Sequence, residues 1–535
     1  VGYGTEAKAG RRSAENGRCD GGVNQIHPDK HKALNIFLLL LVTAGALAVH
    51  GYHPYAEDAE IYLPGVEKIL HPQLFPFGQE FFASHANLTL FPNLIAFFLR
   101  VTHIPFDAGL FLWHVASIFL LLLACWEVSG LCFSGERPAD ARARWGGVCL
   151  VAALLTIPVA GTALYIMDQY LNPRNLAAFA AIFAVARTLE KKYVRAALWL
   201  AFAGSVHPLM AVFAFSFCFL LVIVEKFDGK KFDANKSEKK VAGAALPLVT
   251  GLCCLLPFGI SLDPPASPAY HAAALRHGFH YIQRWQWYEW LGILAPVALF
   301  WWFERIARER QWRRLALVCR CLIIYDLIYF SAALVIDLPA RFESLARLQP
   351  LRCLHLLYIL MFLIMGGLLG EFVLKNRVWR WLALFVPLCA GMFFAQRVLF
   401  PESAHIEWPG VAPKNPWAQA FVWVRDNTPV DALFALDPNF TNLPGEDTNG
   451  FRSLAQRSRL ADLSKDSGAV SMFPPLAEDW WAQVQAQSPW TKLRLGGLLR
   501  LKSDYGVNWV VVQQPDGANL DCVYQNRAVL VCRIP

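Results

Sequence analysis

Apolar residues in this chain come in long unbroken runs, not in the period-two alternation of half-buried strands. Eleven stretches read as membrane-spanning helices: 34–50, 107–133, 146–166, 175–189, 195–207, 208–225, 241–260, 287–303, 315–336, 352–373 and 379–399. About 20 apolar residues in helical form cross a bilayer core, with shorter spans tolerated inside a bundle. The segments 175–189 and 195–207 are the shortest of the set. Residues 88–103 (LTLFPNLIAFFLRVTH) are apolar too, about 24 Å long as helix. They are read as a helix lying in, or dipping into, the outer interface.

Hydropathy falls sharply after Phe400. The proline-rich stretch 401–416 reads as a linker, and Pro416 stands at a favourable first position for a helix over 416–427. Strands are predicted at 431–436 and 507–513, helices at 476–487 and 491–503, and a hairpin from 520–525 and 527–533. This defines three parts: a basic, disordered tail 1–33, a transmembrane bundle 34–400 with a first outer loop 51–106, and a soluble outer α/β domain 401–535. Cys522 and Cys532 flank the hairpin. Outside the cytoplasm they can pair as a disulfide; otherwise they are two buried thiols.

Composition agrees with lipid as solvent: 17% of the 535 residues are charged and mean hydropathy is +0.35, against about 25% charged in soluble domains. The net charge of +8 therefore speaks to topology and not to nucleic acid. With the N-terminus inside, the inner segments hold 27 Lys and Arg and the outer loops seven. That asymmetry places the N-terminus in the cytoplasm and residues 401–535 outside the cell membrane. No P-loop, dinucleotide-binding glycine pattern or HExxH helix occurs. Cysteines such as Cys218, Cys253 and Cys319 sit within apolar runs and act as small hydrophobes.

The polar chemistry collects in the outer loops. The first begins HGYHPYAEDAEIYLPGVEKIL, with Glu57, Asp58 and Glu60 within four residues of one another just beyond the membrane surface. Adjacent carboxylates repel, and burial disfavours their charged form. Their retention points to a cation, a base or a hydrogen-bond network, unless they are merely solvated and set topology. Residues 59–71 then form a short amphipathic helix bent at Pro64. In DQYLNPRN, Arg174 can clamp a phosphate or snorkel to the interface. His207 can meet a phosphate or satisfy backbone carbonyls. The loop 261–286 interleaves Arg276, His277, His280 and Arg284 with Trp285 and Trp287, fitting an anionic headgroup or an aromatic belt. Arg341, Arg347 and Arg352 form a third basic group.

An acidic pair in the first outer loop, many spans with basic inner loops, and an outer α/β tail resemble the GT-C superfamily of membrane glycosyltransferases. A nearer resemblance is to bacterial multi-pass proteins with the AEDAEIYLPG loop and the WVRDNTPVDALF and FRSLAQRSRL tail segments; it names no substrate. The superfamily likeness implies transfer of a sugar from a polyprenyl-phosphate donor at the outer membrane face. Glu57 and Asp58 would be catalytic, as base or as ligands of a divalent cation (Mg²⁺ or Mn²⁺, on Asp58). The likeness reaches only those two residues; from the outer-loop charge pattern, Glu60, Arg174, His207, Arg276, His280 and Arg341 are expected to bind substrate, with membrane lipid and the lipid-linked donor as partners. The alternative is a transporter, or a membrane scaffold whose outer domain binds a partner. A transporter carries ionisable groups at mid-membrane, whereas these charges sit at the rim.

Overall fold

The computed structural model describes residues 28–134, 141–233, 267–337, 345–514 and 520–535. The tail up to residue 27, the expected span 241–260 and Arg341 lie outside them.

Seven helices are long and apolar enough to cross a membrane: Lys32–His50, Phe106–Cys132, Pro208–Phe227, Trp287–Glu309, Arg313–Asp337, Leu345–Leu374 and Val378–Leu399. They correspond to seven of the eleven expected spans. The first two are α1 (Pro28–His50) and α5 (Phe106–Cys132). Between them, the first loop folds into α2 (Ala59–Leu70, with Pro64 inside), α3 (Glu80–Ala86) and α4 (Phe91–Thr102). The axes of α3 and α4 meet at 84°, so the helix within 88–103 is Phe91–Thr102, one half of a broken pair.

The expectation for 146–166 needs correction. There α6 (Ala141–Ala153) stops after 13 residues, and a two-stranded hairpin, β1 (Pro158–Val159) and β2 (Leu164–Tyr165), follows. Pro158 cannot continue a helix ladder. At Gly161 (φ +37°) the turn presses on the Trp285 ring so closely that a Cβ would lie 2.3 Å from it. The next expected spans are α7 (Pro173–Leu189, 17 residues) and α8 (Tyr193–Val206, 14 residues). At about 1.5 Å per residue both fall short of a 30 Å core.

Almost every side chain of α7 is buried. Its run NLAAFAAIFAVA presents alanines that let α5, α8 and α9 (Pro208–Asp233) close around it. Small residues serve the same end where α6 crosses the apolar helix that begins at Leu354: a Cβ on Gly146 would stand 2.3 Å from the Gly366 carbonyl oxygen. The remaining long elements are α11 (Trp287–Glu309), α12 (Arg313–Asp337), α13 (Leu354–Leu368, extended by a π-turn to Leu374) and α14 (Val378–Leu399), with the short α10 (Pro268–Arg276) before them.

Beyond α14, the linker returns to the first loop. Tyr52 N–H donates to the His405 carbonyl (3.0 Å) and Glu407 N–H to the Tyr52 carbonyl (3.0 Å). The C-terminal region is a five-stranded sheet in the order β4-β3-β5-β7-β6. Its strands are β3 (Leu433–Ala435), β4 (Ser458–Arg459), β5 (Trp509–Gln513), β6 (Asp521–Gln525) and β7 (Val529–Arg533). Here β4, β3 and β5 run parallel, and β7 and β6 complete the sheet antiparallel.

Both faces of this sheet are covered, which follows from β5 being apolar and buried from Trp509 to Val512. Trp509 and Val511 pack on α15 (Pro416–Asn427) and α16 (Phe451–Ala455), while Val510 and Val512 pack on α19 (Leu495–Tyr505). Helices α17 (Lys465–Met472) and α18 (Ala477–Ala486) lie on the side of α10. Cys522 and Cys532 stand opposite each other in the β6–β7 register and are joined as a disulfide. The fold class is therefore an α-helical multi-pass bundle with a C-terminal α/β sheet domain.

Candidate active site

Segments expected on the outer side gather at one end of the bundle. His53 N–H donates to the Gln169 carbonyl (2.8 Å), joining the first loop to the DQYLNPRN loop. His277 Nε2 lies 3.0 Å from Ser467 Oγ, joining the loop after α10 to α17. The ion pairs Arg187–Glu190, Lys191–Glu225 and Arg320–Glu304 involve the expected inner segments instead.

Asp58 sits at the centre of this cluster, immediately before α2. Its carboxylate accepts from Arg174 Nη1 at 2.9 Å and from Lys465 Nζ at 3.1 Å. Lys465 also donates to Glu57. Arg174 reaches back to Asp168 at 3.0 Å. Burial alone would raise the Asp58 pKa, but Lys465 and Arg174 overcome it and hold the carboxyl far below its ordinary value. Asp58 is thus an ionised, weakly basic acceptor. Glu57 is more open, its side chain 41% exposed. Its backbone takes φ +55°, fixed by donation of its N–H to the Thr448 carbonyl at 2.8 Å. Strain of this kind in a non-glycine residue costs about 1–3 kcal/mol and persists only where the surroundings impose it.

Local sequence explains each placement. Asn172 caps α7, accepting from Asn175 N–H at 3.1 Å, and Arg174 follows in the first turn. An arginine at a helix N-terminus faces the positive end of the dipole, so Asp168 and Asp58 offset it. Lys465 opens α17. Asp462 Oδ1 accepts from the backbone N–H groups of Ser464, Lys465 and Asp466 at 2.7–2.9 Å, covering that helix start with negative charge.

Other expected site residues fall elsewhere. Glu60 points away into the C-terminal domain, with no solvent exposure. It accepts from Arg459 at 2.9 Å within a buried network of Arg452, Arg459, Asp462 and Asp466. Arg276 is exposed at the last turn of α10. His280 is buried, stacked on His277. Burial pushes His277 down to about 4, with Lys465 adding to the effect, so both rings are neutral near pH 7. His207 caps the end of α8 and feels Arg174 and Arg352.

Two participants were not singled out by sequence. Lys465 lies in a segment of no evident chemistry. Arg352 was seen only as one of a basic group; its buried Nε has no hydrogen-bond partner among the described residues, and it lies within electrostatic range of Asp58 and Arg174.

A divalent ion on Asp58 does not fit this arrangement. Two cationic side chains already hold its carboxylate. Among the described residues no three His, Cys, Asp or Glu side chains converge as metal ligands. A cavity of about 350 Å³ is bounded by Tyr52, Tyr55, Asp107, Glu407 and Trp408, between the first loop and the linker; neither Glu57 nor Asp58 lines it. Burial and Asp447 push Glu407 up to about 8.

Fold and site together define an integral membrane protein whose first loop, bundle and C-terminal α/β domain share one polar cluster. No family model and no curated protein matches the chain. Among solved structures, it is similar to an archaeal oligosaccharyltransferase, AglB from Archaeoglobus fulgidus, determined with an inhibitory peptide and a dolichol-phosphate. That match has 13% identity and a TM-score of 0.47, over 91% of this chain and 70% of that one. The apo form of the Archaeoglobus fulgidus oligosaccharyltransferase matches at 13% identity and a TM-score of 0.45, over 90% and 70%. The arabinofuranosyltransferase AftD from Mycobacteria matches at 14% identity and a TM-score of 0.44, over 91% of this chain but 35% of that one. These are likenesses of overall fold.

Proposed function

We propose that this protein is a membrane glycosyltransferase that moves a sugar from a polyprenyl-phosphate donor to an acceptor hydroxyl at the outer face of the cell membrane. The observation that carries the reading is the meeting of Lys465 with Glu57 and Asp58 and of Arg174 with Asp58, within electrostatic range of Arg352, where an apolar bundle adjoins a polar domain. Such a boundary suits a substrate with a lipid tail and a charged headgroup.

The residues divide the work. Glu57, the more exposed acid, takes the proton of the acceptor hydroxyl. That oxygen bonds to the anomeric carbon as the carbon–oxygen bond to phosphate breaks, and the electron pair leaves on the phosphate. Asp58 orients Lys465 and Arg174. Arg352, which forms no ion pair with a carboxylate among the described residues, meets the leaving phosphate. Arg174 is already committed to Asp58 and Asp168, so it positions the loop more than it clamps substrate.

The test is purified protein in lipid vesicles, offered polyprenyl-phosphate-linked hexoses and pentoses one at a time, with release of polyprenyl phosphate measured. Release with at least one donor, lost in Glu57→Gln, is the expected result. No release and no binding of any donor would overturn the reading. The scaffold alternative draws on the same ion pairs, since Lys465 ties the first loop to the C-terminal domain. It requires that neutralising both acids leaves function intact.

A further inference from the structure

We infer that Lys465 is the resident cation of the outer site, its ammonium taking the place between Glu57 and Asp58 that a divalent ion would need. The inference deepens the transferase reading by naming the cation its acids use, yet it is decided by metal binding and not by transfer.

The first support is geometry. The ammonium donates to Glu57 and, at 3.1 Å, to Asp58. An ammonium has three donors, so a third remains for an oxygen of a ligand. The Lys465 side chain is 12% exposed, and the fixed start of α17 holds it there. Opposed by its burial, the two acids nonetheless raise its pKa above the ordinary lysine value, so it is charged at any physiological pH.

The second support is the rest of the charge pattern. The other oxygen of Asp58 accepts from Arg174, which also satisfies Asp168. Three carboxylates from two loops are therefore shared between two side-chain cations, one from α7 and one from α17, which leaves one net negative charge at the site. A Mg²⁺ or Mn²⁺ ion needs octahedral oxygen coordination. Reaching Asp58, it would meet two positive charges within hydrogen-bond distance of the same carboxylate. Burial favours one compact, permanently attached cation over an ion that must shed water.

There is a consequence for the domain. The cation belongs to the C-terminal domain, while the acids belong to the first loop, 407 residues earlier for Asp58. The outer site is complete only when that domain is docked. Removal of Lys465 should leave an acidic pocket with vacant oxygens, one that a free divalent ion can enter.

The experiment is electron paramagnetic resonance of Mn²⁺ titrated into full-length protein in detergent, where bound ion loses the six-line signal. Wild type is expected to bind no Mn²⁺ that Asp58→Asn abolishes. Lys465→Ala is expected to acquire about one bound Mn²⁺ per chain, lost again in Lys465→Ala/Asp58→Asn. Stoichiometric binding by wild type that Asp58→Asn removes would overturn the inference, as would a folded Lys465→Ala that binds none. Should Lys465→Ala fail to fold, the comparison of wild type with Asp58→Asn decides. Equal Mn²⁺ signals support the inference, and loss in the variant refutes it. Absence of transferase activity alone would count against the proposed function and leave this result untouched.

Discussion

Lys465 and Asp58 lie 407 residues apart in the chain and meet at 3.1 Å. Around that contact a membrane loop and a C-terminal domain become one site. Its first consequence concerns the two acids. Asp58→Asn keeps size but releases Lys465 and Arg174, whereas Glu57→Gln removes the proposed base. Loss of a general base typically costs about 10²–10⁴-fold in rate. Glu57→Gln should fall in that range, with Asp58→Asn also impaired, both at normal protein levels. Complementation in cells that need the protein measures this. Full function in both variants would sink the catalytic reading.

The buried network around Glu60 predicts an asymmetry. It holds three carboxylates, Glu60, Asp462 and Asp466, against Arg452 and Arg459. Burial raises the Glu60 pKa, with the arginines opposing it. Glu60→Gln therefore leaves two acids facing two arginines and should be mild. Arg459→Met leaves three acids with one arginine and should cost about 3–5 kcal/mol, the usual penalty for orphaning buried charge. Thermal denaturation in detergent compares them; equal effects would contradict the charge count.

Glu407 gives a pH dependence. Its pKa rises from 4.5 to about 8 through burial and the neighbouring Asp447. For an acid raised in the folded state, stability is full below 4.5 and declines as pH climbs towards 8. Above that the loss levels off. Glu407→Gln cannot ionise, so its Tm advantage over wild type should grow between pH 5 and pH 8. A constant difference would show that Glu407 does not titrate in this window.

Packing between α6 and α13 is tested at Gly366. A Cβ there would lie 2.4 Å from the Gly146 carbonyl oxygen, while at Gly391 nothing lies within 4 Å. Gly366→Val should destabilise by at least the roughly 1–3 kcal/mol typical of overpacking, and Gly391→Ala should be tolerated. Detergent melting curves report both.

Orientation in the membrane is open to a direct test. Reporter fusions after residues 230 and 535 should read opposite sides, cytoplasmic for the first. The same side for both would refute the charge-based topology.

Much of the architecture was legible because lipid demands long apolar runs and inner loops collect basic residues. The seven long helices and the paired cysteines follow from such local signals. The hairpin at 158–165 was hidden, since apolar composition there looks the same in a helix and in a turn packed on Trp285. Within the site, Glu57 and Asp58 stood out because carboxylates beside a membrane are costly. Lys465 did not. The D-L-S-K sequence marks a helix start capped by Asp462, yet nothing local says that the lysine reaches a loop at the far end of the chain. Glu60 misled for the opposite reason: three neighbouring acids look alike in sequence, and only the turn into α2 sends one of them inward to Arg459.

That inward turn also sets an order of events during synthesis. Glu60 and Arg459 are separated by 399 residues, which at 5–20 residues per second is about 20–80 s of translation. Throughout that interval the first loop lacks the C-terminal partners of Glu57 and Glu60, although Arg174 is already there for Asp58. The loop therefore stays unfinished until the C-terminal region emerges to clasp it, and the acidic site is among the last parts of the molecule to come into being.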